Sequence, residues 1–219
     1  MVTSNDSVLY ADLASYVGQS EKMFAEISED RKSQLEKIAT FVRDRANARQ
    51  EAPQVARLTF ICTHNSRRSH LSQIWAQTAA AYYGITSVAT YSGGTEATAF
   101  NPRSVAALER AGFVIERTSG DKNPVYLIRF NEDAPAIEAF SKDYNKKPNP
   151  TEDFCAVMTC SQADKNCPVV AGASMRVAIP YDDPKAFDGT DQEAGKYDER
   201  CRQISREMLY LFSAVNMSA

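Results

Sequence analysis

The sequence predicts a doubly wound α/β protein: a mainly parallel sheet of four or five strands with an N-terminal helical extension. From residue 56 onward, short apolar runs rich in β-branched and aromatic residues alternate with helical patterns. Strand–helix–strand alternation means parallel pairing through right-handed crossovers. Before residue 56 the composition differs, with residues 20–49 rich in Glu, Lys, Arg, Gln and Ala. The length sets the scale: 219 residues suffice for one α/β domain with a real core plus a helical appendage.

In the extension, Met23, Phe24, Ile27, Leu35, Ile38, Phe41 and Val42 recur at helical spacing. They predict one or two amphipathic helices ending near Asn47, with Pro53 at the boundary. The division is therefore 1–54 for the extension and 55–219 for the α/β domain. No chemistry is visible in the extension. It reads as a packing or dimerising element, so a homodimer through these helices is an expected assembly.

Residues 57–62 (Arg-Leu-Thr-Phe-Ile-Cys) form a short apolar run of the kind that makes a buried strand. A polar loop, 63–68, leads into a helix over 69–83 that Gly84 ends. A second strand, 88–91, closes in Ser92-Gly93-Gly94. Asn101-Pro102 opens a helix that runs to Gly112. Residues 125–130 read as a strand, 134–144 as a helix and 146–150 as a turn. A strand over 154–159 is followed by the polar segment 160–168, and 175–179 is the last strand. Residues 181–190 form a loop before a long helix over 191–215. Ligands of such sheets sit beyond the carboxyl ends of the strands. The loops after Cys62, Thr159 and Ile179 leave strands at that edge.

Charge and composition exclude several classes. Lys plus Arg is 25 against 28 Asp plus Glu, a formal net charge of −3, so no nucleic-acid coat is expected. No apolar stretch reaches the ~20 residues of a membrane span, and residues 1–16 lack the pattern of an export signal. Five cysteines, an odd number, without such a signal point to a reducing, cytoplasmic setting and against a closed disulfide framework.

The segment Cys62-Thr63-His64-Asn65-Ser66-Arg67-Arg68-Ser69 carries the chemistry. A loop of this length can wrap its N–H groups around a tetrahedral oxyanion, and the helix that follows adds positive potential. Arg68 can hold two oxyanion oxygens in a bidentate fork. The same field makes the Cys62 sulfur a candidate nucleophile. Ser69 can donate to that sulfur, and Asn65 suits an unusual backbone angle in the loop. A Cys-x5-Arg pair alone is weak, and a strand-end cysteine beside two surface arginines is the bland alternative. Placement between a strand and a helix, with Ser directly after, favours the anion loop.

This segment resembles the phosphate loop of the low-molecular-weight protein tyrosine phosphatases and of the thioredoxin-coupled arsenate reductases built on the same fold. The Cys-Thr-x-Asn-Ser-x-Arg-Ser form is more similar to the reductases. The resemblance runs from about Leu58 to the C-terminal helix and includes Ser92-Gly93-Gly94-Thr95-Glu96 and Asn101-Pro102-Arg103-Ser104-Val105. The first fifty residues lie outside it, as does part of 121–150, which looks like an insertion or a divergent lid.

The resemblance implies roles for further residues. The family's acid stands directly before a proline, which nominates Asp183 in Tyr181-Asp182-Asp183-Pro184, with Asp182 as the fallback; Asp-Asp-Pro is also ordinary turn chemistry. Aromatic residues directly after that proline, common where phosphotyrosine is the substrate, are missing here: Lys185 and Ala186 follow, and Tyr181 and Phe187 are the nearest rings. Cys160 and Cys167 stand at the position and spacing of the reductases' second and third thiols. Two thiols supply the two electrons that reduce arsenate, and a third can carry the disulfide to a surface where thioredoxin or a similar dithiol reaches it. Cys160 can equally be core. A zinc site from Cys62, His64, Cys160 and Cys167 lacks the usual close cysteine pair and would block the loop, so no metal is expected. Cys155 and Cys201 read as packing residues, and His64 and His70 as surface residues without a catalytic role.

Two positions depart from the relatives' pattern. Arg67 replaces a frequent cysteine, and Gln73 a frequent acidic residue, which puts any cation site there in doubt. The expected function is arsenate reduction by a thiol relay with no tightly bound cofactor. The same loop would serve a low-molecular-weight phosphatase working on phosphate monoesters through a phosphocysteine.

Overall fold

The computed structural model describes residues 8–46, 54–167 and 169–216. Asn47 and Pro53, expected at the end of the extension, and Pro168, expected to close the polar segment, lie outside the described residues.

Two helices come first, α1 (Ala11–Glu21) and α2 (Glu29–Ala46). The helical segment therefore begins well before the expected residue 20. Leu13, Val17 and Ser20 make the buried face of α1, a stripe thin in large apolar residues and easily missed. Then follow β1 (Ala56–Cys62), α3 (Arg68–Tyr82), β2 (Val88–Gly94), α4 (Pro102–Arg110), β3 (Val114–Ser119), β4 (Val125–Arg129), β5 (Ile137–Ala139), β6 (Phe154–Met158), α5 (Ser161–Asn166), β7 (Ala173–Ala178) and α6 (Glu193–Asn216). Asn101 caps α4 as its sequence suggests, its side chain accepting from Arg103 N at 3.0 Å with Pro102 in the first turn.

The parallel sheet has four strands in the order β2-β1-β6-β7. β1 and β6 are buried at nearly every position, which explains their mostly apolar runs. The expected strand over 125–130 exists but belongs elsewhere. It is the middle of a separate antiparallel sheet, β3-β4-β5.

The helix expected over 134–144 is absent. Residues 137–139 are β5, with Ile137 and Ala139 buried and Glu138 exposed, a period of two rather than 3.6. Ala and Glu favour helix locally, but Pro135 disfavours a helical residue before it, and pairing with β4 decides the outcome. Strand β3 was not expected; five of its six residues are exposed, so it shows no apolar signal. The short helix α5 was also missed inside the polar segment.

The main core joins the extension to the rest. Leu13, Val17, Leu35, Ile38 and Val42 pack in one cluster with Leu58, Trp75, Ile204, Met208 and Phe212. The apolar stripe of α1 and α2 is thus covered within the chain. A smaller cluster, Ile61, Cys62, Phe154, Ala156, Met158, Cys160, Ala163 and Val170, occupies a second site on the sheet, with Tyr144 and Cys167 against it. Among the described residues, no helix is long and apolar enough to cross a membrane.

Candidate functional site

Strand β1 delivers Cys62 to the carboxyl edge of the sheet, opposite Gly94 of β2. Gly94 is required there: a Cβ would lie 2.3 Å from Glu96 O and 2.7 Å from both Asn65 N and Thr63 O. The strand therefore ends against the loop backbone with no room for a side chain.

The loop's carbonyls are turned outward and held. Cys62 O accepts from Thr95 N (3.1 Å) and Thr63 O from Glu96 N (3.0 Å). His64 O accepts from the hydroxyls of Thr98 and Ser141, both at 3.0 Å. Ser66 O accepts from Asn101 N at 2.8 Å. In a planar trans peptide the N–H points opposite to the C=O. The outward carbonyls therefore aim the N–H groups of Thr63, His64, Asn65 and Arg67 into the ring, which makes an anion cradle. Helix α3 starts at Arg68 and adds its N-terminal field.

Asn65 makes the turn. Its φ is 43°, in the left-handed region, and its side chain is fully buried. Its Oδ1 accepts from Lys142 N at 2.9 Å, which fixes the amide so that Nδ2 donates to Ser69 Oγ at 2.8 Å. Ser69 Oγ lies 3.1 Å from Cys62 Sγ. With Ser69 Oγ accepting from Asn65, its own hydrogen is free to donate to a Cys62 thiolate.

Arg68 donates through Nη1 to Tyr181 O (3.0 Å) and through Nη2 to Asp183 Oδ2 (2.7 Å). Its Nε is buried with no partner among the described residues. A buried guanidinium N–H without a partner is a donor suited to an oxyanion oxygen. The two acidic residues before Pro184 separate cleanly. Asp183 faces Arg68, whereas the Asp182 side chain is fully exposed, 3.7 Å from Arg200.

Arg67 turns from the ring. Its Nε donates to Tyr197 OH (2.8 Å) and its Nη2 reaches Asp188 (3.5 Å), while Tyr197 OH donates to Asp188 Oδ1 (2.8 Å). Burial pushes the Tyr197 hydroxyl up to about 12, so it stays a neutral donor. Arg67 thus props the loop with Asp188 at 3.5 Å and Asp183 at 3.9 Å facing its charge.

Cys160 follows β6, the strand beside β1, where Thr159 N donates to Ile61 O at 2.7 Å. The two thiols therefore stand at the ends of neighbouring strands. Cys160 is fully buried and its Sγ caps α5, accepting from Ala163 N (3.3 Å), with Thr63 Oγ1 of the loop 3.4 Å away. Cys167 follows α5 at its other end and is half-buried against the same apolar cluster. Cys155 and Cys201 are buried elsewhere. Burial pushes Cys155 up to about 12 and Cys201 up to about 11, so both remain protonated thiols at neutral pH.

His70 differs from its surface expectation. It is fully buried and stacked on Phe100, with centroids 4.1 Å apart, because α3 is covered on most of its circumference. Burial, aided by Lys142, holds its pKa well below the usual value, so the ring is neutral. His64 is half exposed, its Nε2 3.0 Å from Glu96. Among the described residues no group of three or more His, Cys, Asp and Glu is placed to hold a metal. Gln73 is buried and donates to Thr90 O at 3.2 Å.

Sequence reasoning missed three supports. The Tyr181 carbonyl on Arg68 is a backbone group and has no residue signature. Ser141 and Lys142 sat in a stretch read as helix. Gly94 alone had a signal, as a glycine closing a strand.

The family model for low molecular weight phosphotyrosine protein phosphatase matches residues 57–123. An arsenate reductase of Bacillus licheniformis is 28% identical over 155 residues, 70% of this chain and 92% of its own. One from Bacillus subtilis is 27% identical over 143 residues, 65% of this chain and 84% of its own. A solved low-molecular-weight phosphotyrosine phosphatase from Vibrio cholerae superposes with a TM-score of 0.46 at 11% identity, covering 72% of this chain and 95% of its own. The matched segment contains the whole anion loop, and together with these reductase relatives it supports an enzyme of the low-molecular-weight protein tyrosine phosphatase type, similar to the arsenate reductases built on that loop.

Proposed function

We propose that this enzyme reduces arsenate to arsenite by a relay through Cys62, Cys160 and Cys167. The placement of Cys160 carries the reading. It follows the strand next to that of Cys62, shares one apolar cluster with it and touches the loop at Thr63. Ester hydrolysis has no use for a thiol there.

In the first step an arsenate enters the cradle and competes with Asp183 for Arg68 Nη2. Cys62 Sγ attacks arsenic and an As–O bond breaks. Asp183, once protonated, gives its proton to the departing oxygen, which leaves as water. Ser69 and the inward N–H groups hold the charge. In the second step the Cys160 thiolate attacks Cys62 Sγ. The S–As bond breaks, its electron pair stays on arsenic, and arsenite leaves a Cys62–Cys160 disulfide. Cys167 then attacks Cys160, freeing Cys62. Seven residues of helix span roughly 10 Å, whereas disulfide Cα atoms stand at most about 7 Å apart. Helix α5 must therefore unwind, carrying the new disulfide outward to a reducing dithiol protein of the thioredoxin kind. Reduced thiols at this site fit a cytoplasmic setting.

A phosphatase would use Cys62, Arg68 and Asp183 alike, and the matching family model keeps that reading in play. The ring of Tyr181 speaks against a phosphotyrosine substrate: it is buried with its hydroxyl on Glu207 at 2.8 Å and cannot wall an aryl group.

The test is NADPH oxidation with thioredoxin, thioredoxin reductase and arsenate, run beside p-nitrophenyl phosphate hydrolysis. Arsenate-dependent oxidation lost in Cys160→Ser, with ester hydrolysis retained, supports the relay. Hydrolysis without arsenate-dependent oxidation refutes it and leaves a phosphatase.

A further inference from the structure

Resting on the oxyanion-site reading above, we propose that Arg31 of the N-terminal helix α2 is a positioning residue of the active site. The segment 180–183 does two jobs there. Its Tyr181 carbonyl and Asp183 carboxylate both hold the Arg68 guanidinium, and Asp183 is the acid candidate. Something must hold that segment in turn, and α2 reaches it.

Arg31 Nη2 donates to Pro180 O at 2.6 Å, and its guanidinium lies over the Tyr181 ring, 5.2 Å from the centroid. Arg31 Nε is 3.6 Å from Glu207 Oε2, a carboxylate on α6 whose side chain is only 3% exposed. Tyr181 OH donates to the same oxygen at 2.8 Å, and Gln203 Nε2 donates to Oε1 at 3.1 Å. Burial and the Glu207 charge keep Tyr181 protonated, so its hydroxyl remains a donor. One cation thus grips the backbone at Pro180, the face of Tyr181 and the carboxylate that holds the Tyr181 hydroxyl. Two residues on, the chain presents Asp183 to Arg68. On the other side, Tyr181 N donates to Thr159 O at 3.1 Å, which ties the segment to the residue before Cys160.

The family model begins at residue 57, so Arg31 lies outside it. The extension reads as inert packing from sequence; here it supplies a strut that the matched segment does not contain. Geometry assigns Arg31 no contact with substrate. It acts through the strap, and its loss should loosen Arg68 and Asp183 together.

The test compares full-length wild type, Arg31→Ala, Arg31→Lys and Tyr210→Phe at a temperature where all four are folded by circular dichroism. Tyr210→Phe removes another α2–α6 contact, Tyr210 OH to Glu36 at 2.8 Å, which is made to α2 and not to residues 180–183. Two quantities are read. One is the inorganic phosphate concentration that half-protects Cys62 from iodoacetate, followed on the Cys62 peptide by mass spectrometry. The other is turnover of arsenate and of p-nitrophenyl phosphate. In Arg31→Ala the half-protecting concentration should rise about three- to ten-fold, the range for one lost hydrogen bond, and kcat should fall. Arg31→Lys, which can keep one of the two polar contacts, should be intermediate, and Tyr210→Phe should match wild type. Arg31→Ala with wild-type protection and kcat overturns the role of Arg31. Equal losses in Arg31→Ala and Tyr210→Phe overturn it too, showing general loosening of α2. A wild type whose Cys62 phosphate does not protect is a different result, and it overturns the oxyanion site itself.

Discussion

Replacement of Asn65 tests whether the loop is built as described. In Asn65→Ala the Lys142 N–H loses its buried acceptor, at a cost of about 1–3 kcal/mol. A left-handed φ of 43° adds roughly 1 kcal/mol for a residue with a Cβ and no local polar compensation. The sum, about 2–4 kcal/mol, lowers Tm by about 4–16 °C in a chain of this size. Asn65→Gly should recover roughly 1 kcal/mol of that, because glycine takes the angle freely. Asn65→Asp separates chemistry from stability. It keeps an acceptor for Lys142 N but presents an oxygen, not an N–H, to Ser69 Oγ. The Ser69 hydrogen then turns to the carboxylate and leaves Cys62. A hydrogen bond to a charged group is worth about 1.5–3 kcal/mol, or roughly 10- to 150-fold in a rate that depends on the thiolate. Iodoacetate labelling of Cys62 at pH 7, followed by mass spectrometry, reads this directly. Asn65→Asp labelled at the wild-type rate would refute the Asn65–Ser69–Cys62 chain of hydrogen bonds.

Three further outcomes are expected. Gly94→Ala forces a Cβ to within 2.7 Å of the loop backbone at Thr63 and Asn65, so phosphate should no longer protect Cys62 from alkylation. Free thiols ionise around 9.0, but Cys201 and Cys155 only at about 11 and about 12. Above pH 9 the folded state therefore binds more protons than the unfolded one, and stability falls as pH rises; urea midpoints at pH 8 and 10 should show the fall, and Cys155→Ala should lessen it. Leu35→Ala, at a position with no exposure, should cost about 2–5 kcal/mol, read as a lower urea midpoint.

Much of the fold was legible because parallel strands buried on both faces advertise themselves. The run through Val157 is wholly apolar, and the one through Phe60 is broken only by Arg57 and the β-branched Thr59. The anion loop was legible for a related reason: cysteine, arginine and serine are placed by a strand end and a helix start, both of which sequence marks. Residues 134–144 were not legible, since Ala, Glu and Phe fit a helix locally and only pairing with β4 makes Ile137 and Ala139 a strand. His70 was misplaced because one polar residue in a helix reads as surface until its neighbours are known. The strap residue Tyr181 showed only its ring, while its work at Arg68 is done by a carbonyl. Arg31 looked like one basic residue among many on a charged helix, and only a fold joining α2 to residue 180 makes it distinctive.

The pairing of the first helix with the last bears on how the chain is made. Ser20 and Ser205, 2.9 Å apart, are separated by 185 positions. At ~5–20 residues per second of synthesis, α1 waits roughly 10–40 s for its partner to be translated. Leu13, Val17, Leu35 and Ile38 spend that time without α6, the helix that covers them. The nascent chain thus presents these apolar side chains early and covers them late, an order that makes yield sensitive to elongation rate and to chaperones.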